Sequence, residues 1–110
     1  MSLSLLLHCA DLAETARFYR AALDFDVRDD AGVLTVGKHD GTLIFTTQQL
    51  WPDPTGCSGT IYFSVPDVDA YFAVVRDRVT LAWPLQDMAY GGKEFATRDC
   101  NGYLLAFRQP

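Results

Sequence analysis

Two stretches of this chain carry the same order of hydrophobic and polar positions. Leu5-Leu6-Leu7-His8-Cys9-Ala10-Asp11-Leu12 near the start is matched by Ile61-Tyr62-Phe63-Ser64-Val65-Pro66-Asp67-Val68 in the second half. Asp40-Gly41-Thr42-Leu43-Ile44-Phe45 is matched by Asn101-Gly102-Tyr103-Leu104-Leu105-Ala106 near the end. A short apolar run with no helical period predicts a strand buried on both faces over residues 3–9, and again over 60–65. Asp11 and Asp67 then sit where a side-chain oxygen can accept the free amides of a first helical turn, and Glu14 follows Asp11 at capping-box spacing. Leu12, Ala16, Tyr19 and Leu23 form one apolar stripe, as do Val68, Tyr71, Phe72 and Val75. The first stripe stops near Asp24. Val27, Val33–Val36 and Thr42–Thr47 are strand candidates, with His39-Asp40-Gly41 as a hairpin turn. Phe95–Thr97 and Leu104–Arg108 are the closing strands of the second copy, joined by a turn over Asp99–Gly102. Residues 80–93, with Trp83-Pro84 and Gly91-Gly92, are expected to be a looser connection. Gln48–Ser58 reads as the linker, because two prolines and a glycine interrupt the backbone there.

Each copy is therefore β-α-β-β-β. One such unit cannot bury its sheet alone, so two must pack. The expected fold is α+β: two modules, about 1–50 and about 57–110, forming a cupped mixed sheet with helices on the convex face, within a single domain over 1–110. A chain of 110 residues buries roughly two thirds of its unfolded surface, enough for a real core.

Charge and cysteines narrow the function. The net charge of −5 argues against the basic face that nucleic-acid binding requires. It accommodates a cationic ligand. Cys9, Cys57 and Cys100 are odd in number and lack zinc spacing, which fits free thiols in a reducing cytosol. The apolar start has no basic flank and no segment has membrane-spanning length, so a cytoplasmic protein with no membrane partner is expected.

Three segments resemble one family. Glu14-Thr15-Ala16-Arg17-Phe18-Tyr19-Arg20-Ala21-Ala22-Leu23-Asp24-Phe25 resembles a first-helix signature in which a Phe-Tyr pair precedes Leu-Gly-Phe. Val65-Pro66-Asp67-Val68-Asp69-Ala70 resembles the start of the second module. Gly92-Lys93-Glu94-Phe95-Ala96-Thr97-Arg98-Asp99-Cys100-Asn101-Gly102 resembles the closing Arg-Glu-Phe…Asp-Pro-x-Gly-Asn motif. The family is the glyoxalase, bleomycin-resistance and extradiol-dioxygenase (vicinal oxygen chelate) superfamily, and the bleomycin-resistance-like binding proteins are nearest in length and acidity. Asp24 replaces the usual glycine, and Asp tolerates the left-handed conformation such a turn needs. Cys100 and Tyr103 replace the Pro and Asn of the closing motif.

The resemblance implies a homodimer with grooves between modules. For enzymes of the family it also implies a divalent metal held by His, Glu or Gln. The first-strand ligand precedes the helix-capping Asp by seven positions, at Ser4 and Thr60. The last-strand ligand follows the turn glycine by four, at Phe45 and Ala106. Carbon side chains cannot coordinate, and lone hydroxyls hold divalent ions poorly. Residues 42–50 contain no His, Asp or Glu; Gln48 and Gln49 are the nearest donors there. No metal and no other cofactor is expected.

Alternation from those positions points Ser4, Leu6 and His8; Leu43, Phe45 and Thr47; Thr60, Tyr62 and Ser64; and Leu104, Ala106 and Arg108 into the groove. Leu5, Leu7, Cys9, Ile61, Phe63, Val65, Leu105 and Phe107 then pack under the helices. No carboxylate is expected to face inward from the strands. His8 is either an ordinary part-buried histidine or a polar anchor for ligand. Trp51, Trp83 and Tyr90, on the long connections, either cover the core or stack on ligand. Arg98 and Asp99 support the closing turn.

The candidate ligand-binding set is thus His8, Phe45, Thr47, Trp51, Thr60, Tyr62, Ser64, Trp83, Tyr90, Ala106 and Arg108, with no catalytic residue assigned. The expected function is metal-free sequestration of a small aromatic or cationic molecule, as in bleomycin-resistance proteins. The alternatives are a lyase or dioxygenase with a displaced metal site, a metal-free isomerase using His8, and a partner domain.

Overall fold

A computed structural model describes residues 3–51 and 58–110. The first half runs β1 (Ser4–His8), α1 (Leu12–Arg17), β2 (Asp26–Asp30), β3 (Val33–Lys38) and β4 (Gly41–Thr46). The second runs β5 (Thr60–Ser64), α2 (Val68–Val75), β6 (Thr80–Asp87), β7 (Lys93–Arg98) and β8 (Leu104–Gln109). Each half makes a four-stranded sheet, β1-β4-β3-β2 and β5-β8-β7-β6. β1 runs parallel to β4, and β5 parallel to β8; in each half the chain between the two partners passes through the helix and the other two strands. The other pairs are antiparallel.

Local chemistry sets the element ends. The Asp11 carboxylate accepts the Glu14 amide at 3.1 Å, and Asp67 accepts the Ala70 amide at 3.1 Å. After Arg17 the first helix widens into a π-type turn over Phe18–Ala22, with the Leu23 amide reaching back to the Phe18 carbonyl. Asp24 follows at φ 59°, the left-handed conformation expected of it. The widened turn delivers Tyr19, Leu23 and Phe25 together into the core. His39 and Asp40 form the two-residue β3–β4 turn, since Lys38 pairs with Gly41.

One apolar core lies between the sheets and the helices. It takes Leu34, Val36, Leu43 and Phe45 from the first sheet and Phe63, Phe95, Leu105 and Phe107 from the second. Phe25 meets Phe63 edge-on at 5.3 Å, joining the halves. Three tyrosine hydroxyls bridge them as well: Tyr71 donates to the Leu23 carbonyl at 2.6 Å, Tyr103 to the His8 carbonyl at 2.7 Å, and Tyr19 to Asp99 Oδ2 at 2.6 Å. At Gly41 the first sheet comes close against the second half, because a Cβ there would fall 2.4 Å from the Phe63 ring. Cys9 is in this core. Among the described residues no helix is long and apolar enough to cross a membrane.

Two expectations are corrected. Residues 80–87 are a strand, not part of a loose connection. Pro84 is tolerated because β6 is the edge of its sheet, where a missing amide breaks no ladder. The second correction is the face of β4. Leu43 and Phe45 pair with Leu5 and Leu7 and point into the core, where Phe45 is 0 % exposed beside Tyr19. Ser4, Leu6 and His8 share the opposite face with Thr42, Ile44 and Thr46. Counting from the glycine misled because Gly41 opens its strand, whereas Gly102 lies inside a longer turn and Leu104 opens the strand.

Candidate functional site

The face of the second sheet turned away from the core carries Thr60, Tyr62 and Ser64 on β5 and Leu104, Ala106 and Arg108 on β8. Across β8 lie Glu94, Ala96 and Arg98 on β7, in register with Arg108, Ala106 and Leu104. Trp83 on β6 pairs with Ala96. Ala96 and Ala106 are fully buried and form a low floor. Small side chains there let the longer ones on either side fold over the sheet.

They converge on Glu94, whose carboxylate is fully buried. Trp83 Nε1 donates to Oε2 at 3.1 Å, and the Tyr62 hydroxyl donates to the same oxygen at 3.2 Å. The Tyr90 hydroxyl donates to Oε1. Tyr62 and Tyr90 bring their hydroxyls within 3.4 Å of each other. The hydrogen bond that its hydroxyl donates to Glu94, and then the neighbouring Tyr62 hydroxyl, hold the Tyr90 phenol above its usual titration range. The rings themselves stay open to solvent, at 50 % exposure for Tyr62 and 61 % for Tyr90.

Tyr90 reaches Glu94 from the β6–β7 hairpin, which Met88 closes by donating to the Gly92 carbonyl. Gly92 sits at φ 80°, and a Cβ there would lie 3.1 Å from Arg108 Nε, so only glycine allows this approach. Arg108 rests its guanidinium 5.8 Å from the centre of the Tyr90 ring and donates from Nη2 to the Gly91 carbonyl at 3.4 Å. Its Nε is buried without a hydrogen-bond partner among the described residues. Ion pairs among those residues join Lys38 to Asp24, Arg76 to Asp77 and Lys93 to Asp69. Glu94 therefore has no cation in ion-pair contact among them.

The structure brings together Tyr62, Trp83, Tyr90, Ala106 and Arg108 of the sequence-derived set. Thr60 and Ser64 flank Tyr62 on β5. Phe45 does not belong with them; it is in the core against Tyr19 and Tyr103. His8 ends β1 on the free face of the first sheet, with Nε2 3.2 Å from Gln49 Nε2. Thr47 is exposed just past β4, and Trp51 is half-buried at the edge of the described chain. The linker residues 52–57, with Cys57, lie outside the described residues.

Glu94 is the residue that sequence reasoning missed. The expectation that no carboxylate faces inward from the strands is corrected: β7 begins at Lys93, ahead of the strand expected over Phe95–Thr97, and its pairing turns Glu94 to the side of Arg108. Alternation across from Arg108 would have found it. Asp99 and Arg98 do support the closing turn: Asp99 Oδ1 accepts the Asn101 and Tyr103 amides at 2.9 and 2.8 Å, and Arg98 donates to the Gly102 carbonyl.

The metal implied by the resemblance does not fit the residues present. With β4 in its true register the four positions are Ser4, Ile44, Thr60 and Ala106, because Ile44 pairs with Leu6 as Ala106 pairs with Tyr62. Two hydroxyls and two hydrocarbon side chains are not a divalent-metal donor set. Among the described residues no three His, Cys, Asp or Glu side chains converge.

Solved structures with this architecture span nearly the whole chain. A member of the Glyoxalase/bleomycin resistance protein/dioxygenase superfamily from Sphaerobacter thermophilus DSM 20745 is 18 % identical, covers 100 % of this chain and 97 % of its own, and superposes with a TM-score of 0.79. TioX from Micromonospora sp. ML1 is 20 % identical, with 99 % and 98 % covered and a TM-score of 0.78. A protein of unknown function from Agrobacterium tumefaciens str. C58 is 20 % identical, with 96 % and 90 % covered and a TM-score of 0.75. At such identities the likeness is one of fold. No curated protein matches the sequence. The family model for the Glyoxalase/Bleomycin resistance protein/Dioxygenase superfamily matches residues 3–107. The chain belongs to that superfamily.

Proposed function

We propose that this protein binds a small aromatic or cationic molecule without a metal, as a sequestering protein resembling the bleomycin-resistance type. The observation that carries the reading is the buried Glu94 carboxylate, framed by Trp83, Tyr62 and Tyr90. Mostly apolar walls with a few fixed polar groups are the usual make-up of a small-molecule site. Burial of the ligand against these rings, with the carboxylate behind them, is the whole mechanism; no bond is made or broken.

The binding unit is a homodimer in this proposal. β1 and β5 are edge strands with unpaired backbone groups on one side. Leu3 and Leu6 expose apolar side chains along β1. Pairing such edges with a second copy removes both liabilities.

A second reading uses the same residue. A lyase or isomerase of this family needs an inward acid–base group, and Glu94 supplies a carboxylate. Its oxygens already hold two phenol protons and one indole proton. That arrangement favours a fixed charge over a base that must pick up a substrate proton.

Melting temperature is the test, since a ligand of the folded state raises it by mass action. Planar aromatic and cationic compounds are expected to raise it, Tyr62→Ala is expected to abolish the rise, and Zn²⁺, Mn²⁺, Fe²⁺ and Ni²⁺ are expected to leave it unchanged. A stoichiometric rise with one metal would overturn the metal-free reading.

A further inference from the structure

We propose that the cup over Glu94 binds an alkylated ammonium group, with the ring faces of Tyr62 and Tyr90 as walls and the Glu94 carboxylate as counter-charge. The inference rests on the small-molecule reading above and names the chemistry of the ligand.

Glu94 holds its charge away from water, and its three hydrogen-bond donors are all neutral. Donors of this kind stabilise an anion but do not cancel its field, which reaches further in a low-dielectric surround. Arg108 is the cross-strand neighbour of Glu94, yet its guanidinium is turned to the Tyr90 ring and the Gly91 carbonyl. Its charge offsets part of the Glu94 field on the Tyr90 side, which leaves the Tyr62 side as the approach for a cation from outside.

The chemistry of that cation follows from what is still open. Glu94 is fully buried and both of its oxygens already accept hydrogen bonds. A metal ion would need bare oxygens, and a primary ammonium or guanidinium would need free acceptors. An alkylated ammonium needs neither. It requires aromatic faces at van der Waals range and a negative charge behind them. Tyr62 and Tyr90 present half or more of their surface while their hydroxyls are pinned to Glu94 and to each other. The pinned rings lose little freedom on binding. A phenol that donates to a carboxylate also has a more electron-rich ring, which strengthens attraction of a cation to its face. Arg108 already occupies one face of the Tyr90 ring, so a ligand cation takes the faces that Arg108 leaves open. A seam of about 340 Å³ lies on the other side of Tyr62, lined by Leu5, Asp40, Gly41, Ile61 and Ser64 among others; an apolar group attached to the ammonium would reach it past the Tyr62 ring.

The test titrates the full chain with benzyltrimethylammonium while following tryptophan fluorescence and melting temperature. Benzyl alcohol serves as the neutral aromatic probe, and NaCl at matched ionic strength as the salt control. The expected result is a saturable change with benzyltrimethylammonium, at least about tenfold weaker in Glu94→Gln, where the counter-charge is gone. Tyr62→Leu, at an exposed position that folding tolerates, should weaken it similarly. Equal binding by Glu94→Gln, a response that NaCl reproduces, or no saturable response at all overturns the proposal. Binding of benzyl alcohol without benzyltrimethylammonium removes the ammonium class and leaves the small-molecule reading standing. Binding of neither probe removes both.

Discussion

Gly41→Ala places one methyl group where the two halves of the molecule touch. Its Cβ would lie 2.4 Å from both Cδ1 and Cε1 of Phe63, about an ångström inside contact distance. Moving Phe63 clear would break its contacts with Phe25 and Phe107. It is only 4 % exposed, stacked on Phe107 at 5.5 Å and held edge-on by Phe25 at 5.3 Å. Either the ring is driven off its rotamer or β4 shifts away from β5. Overpacking of this kind costs about 1–3 kcal/mol. For a domain of this size that lowers the melting temperature by roughly 4–12 °C. The assay is urea unfolding of wild type, Gly41→Ala, Phe63→Leu and the double variant. Phe63→Leu should cost stability in wild type and much less when Gly41 is already Ala, since Leu makes room for the methyl. Adjacent residues that share a clash must couple by more than about 0.5 kcal/mol. A Gly41→Ala protein as stable as wild type, or costs that simply add, would refute the packing of the two halves described above.

The faces of β4 are separable by size of effect: Phe45→Ala should cost about 3–5 kcal/mol as a core aromatic deletion, and Ile44→Ala, half-buried on the free face, clearly less in the same urea assay. Equal costs would contradict the register. Tyr19→Phe should cost about 1–3 kcal/mol near neutral pH, because buried Asp99 loses a donor. The pH dependence has a definite sign. Burial raises the Asp99 carboxyl above its ordinary 3.8, and hydrogen bonds from Tyr19, Tyr103 and Asn101 pull it back down. A carboxyl raised on folding favours the folded state below its unfolded value, and that contribution is lost as pH climbs through the folded value. Without the Tyr19 hydroxyl the folded value rises further, so the Tyr19→Phe deficit should be smaller near pH 4 than near pH 7. Urea midpoints at the two pH values check this, and a larger deficit at the acid end would contradict it.

Much of the fold was legible because its signals are local. Asp11 and Asp67 cap their helices where the side-chain chemistry placed them, and the stripes through Tyr19 and Leu23 and through Tyr71 and Val75 face the core. Asp24 takes the left-handed conformation that its place after the helix required. The repeated pattern gave the β-α-β-β-β order of each half. β6 escaped notice because Trp83-Pro84 looks like a break; an edge position, and a slip in pairing between Trp83 and Gln86, make that proline harmless.

The site was legible in its residue types and less so in its geometry. Tyr62, Trp83, Tyr90 and Arg108 were identifiable as aromatic or charged groups off the apolar face, and the lack of metal-binding side chains at the family positions could be read directly. Phe45 was assigned to the groove because the side-chain period of a strand is two, so a one-residue error in where β4 begins turns every side chain over. Glu94 stayed hidden for a related reason. Nothing in Lys93-Glu94-Phe95 states which side faces the cup; its register against Arg108 on β8 decides it. Sequence alone determined the two helices, their caps and most of the strands, because caps and stripes depend on neighbours along the chain. Only the tertiary structure decided that one carboxylate gathers three aromatic donors, because the residues involved come from three strands and a hairpin whose alignment is set by pairing across the sheet.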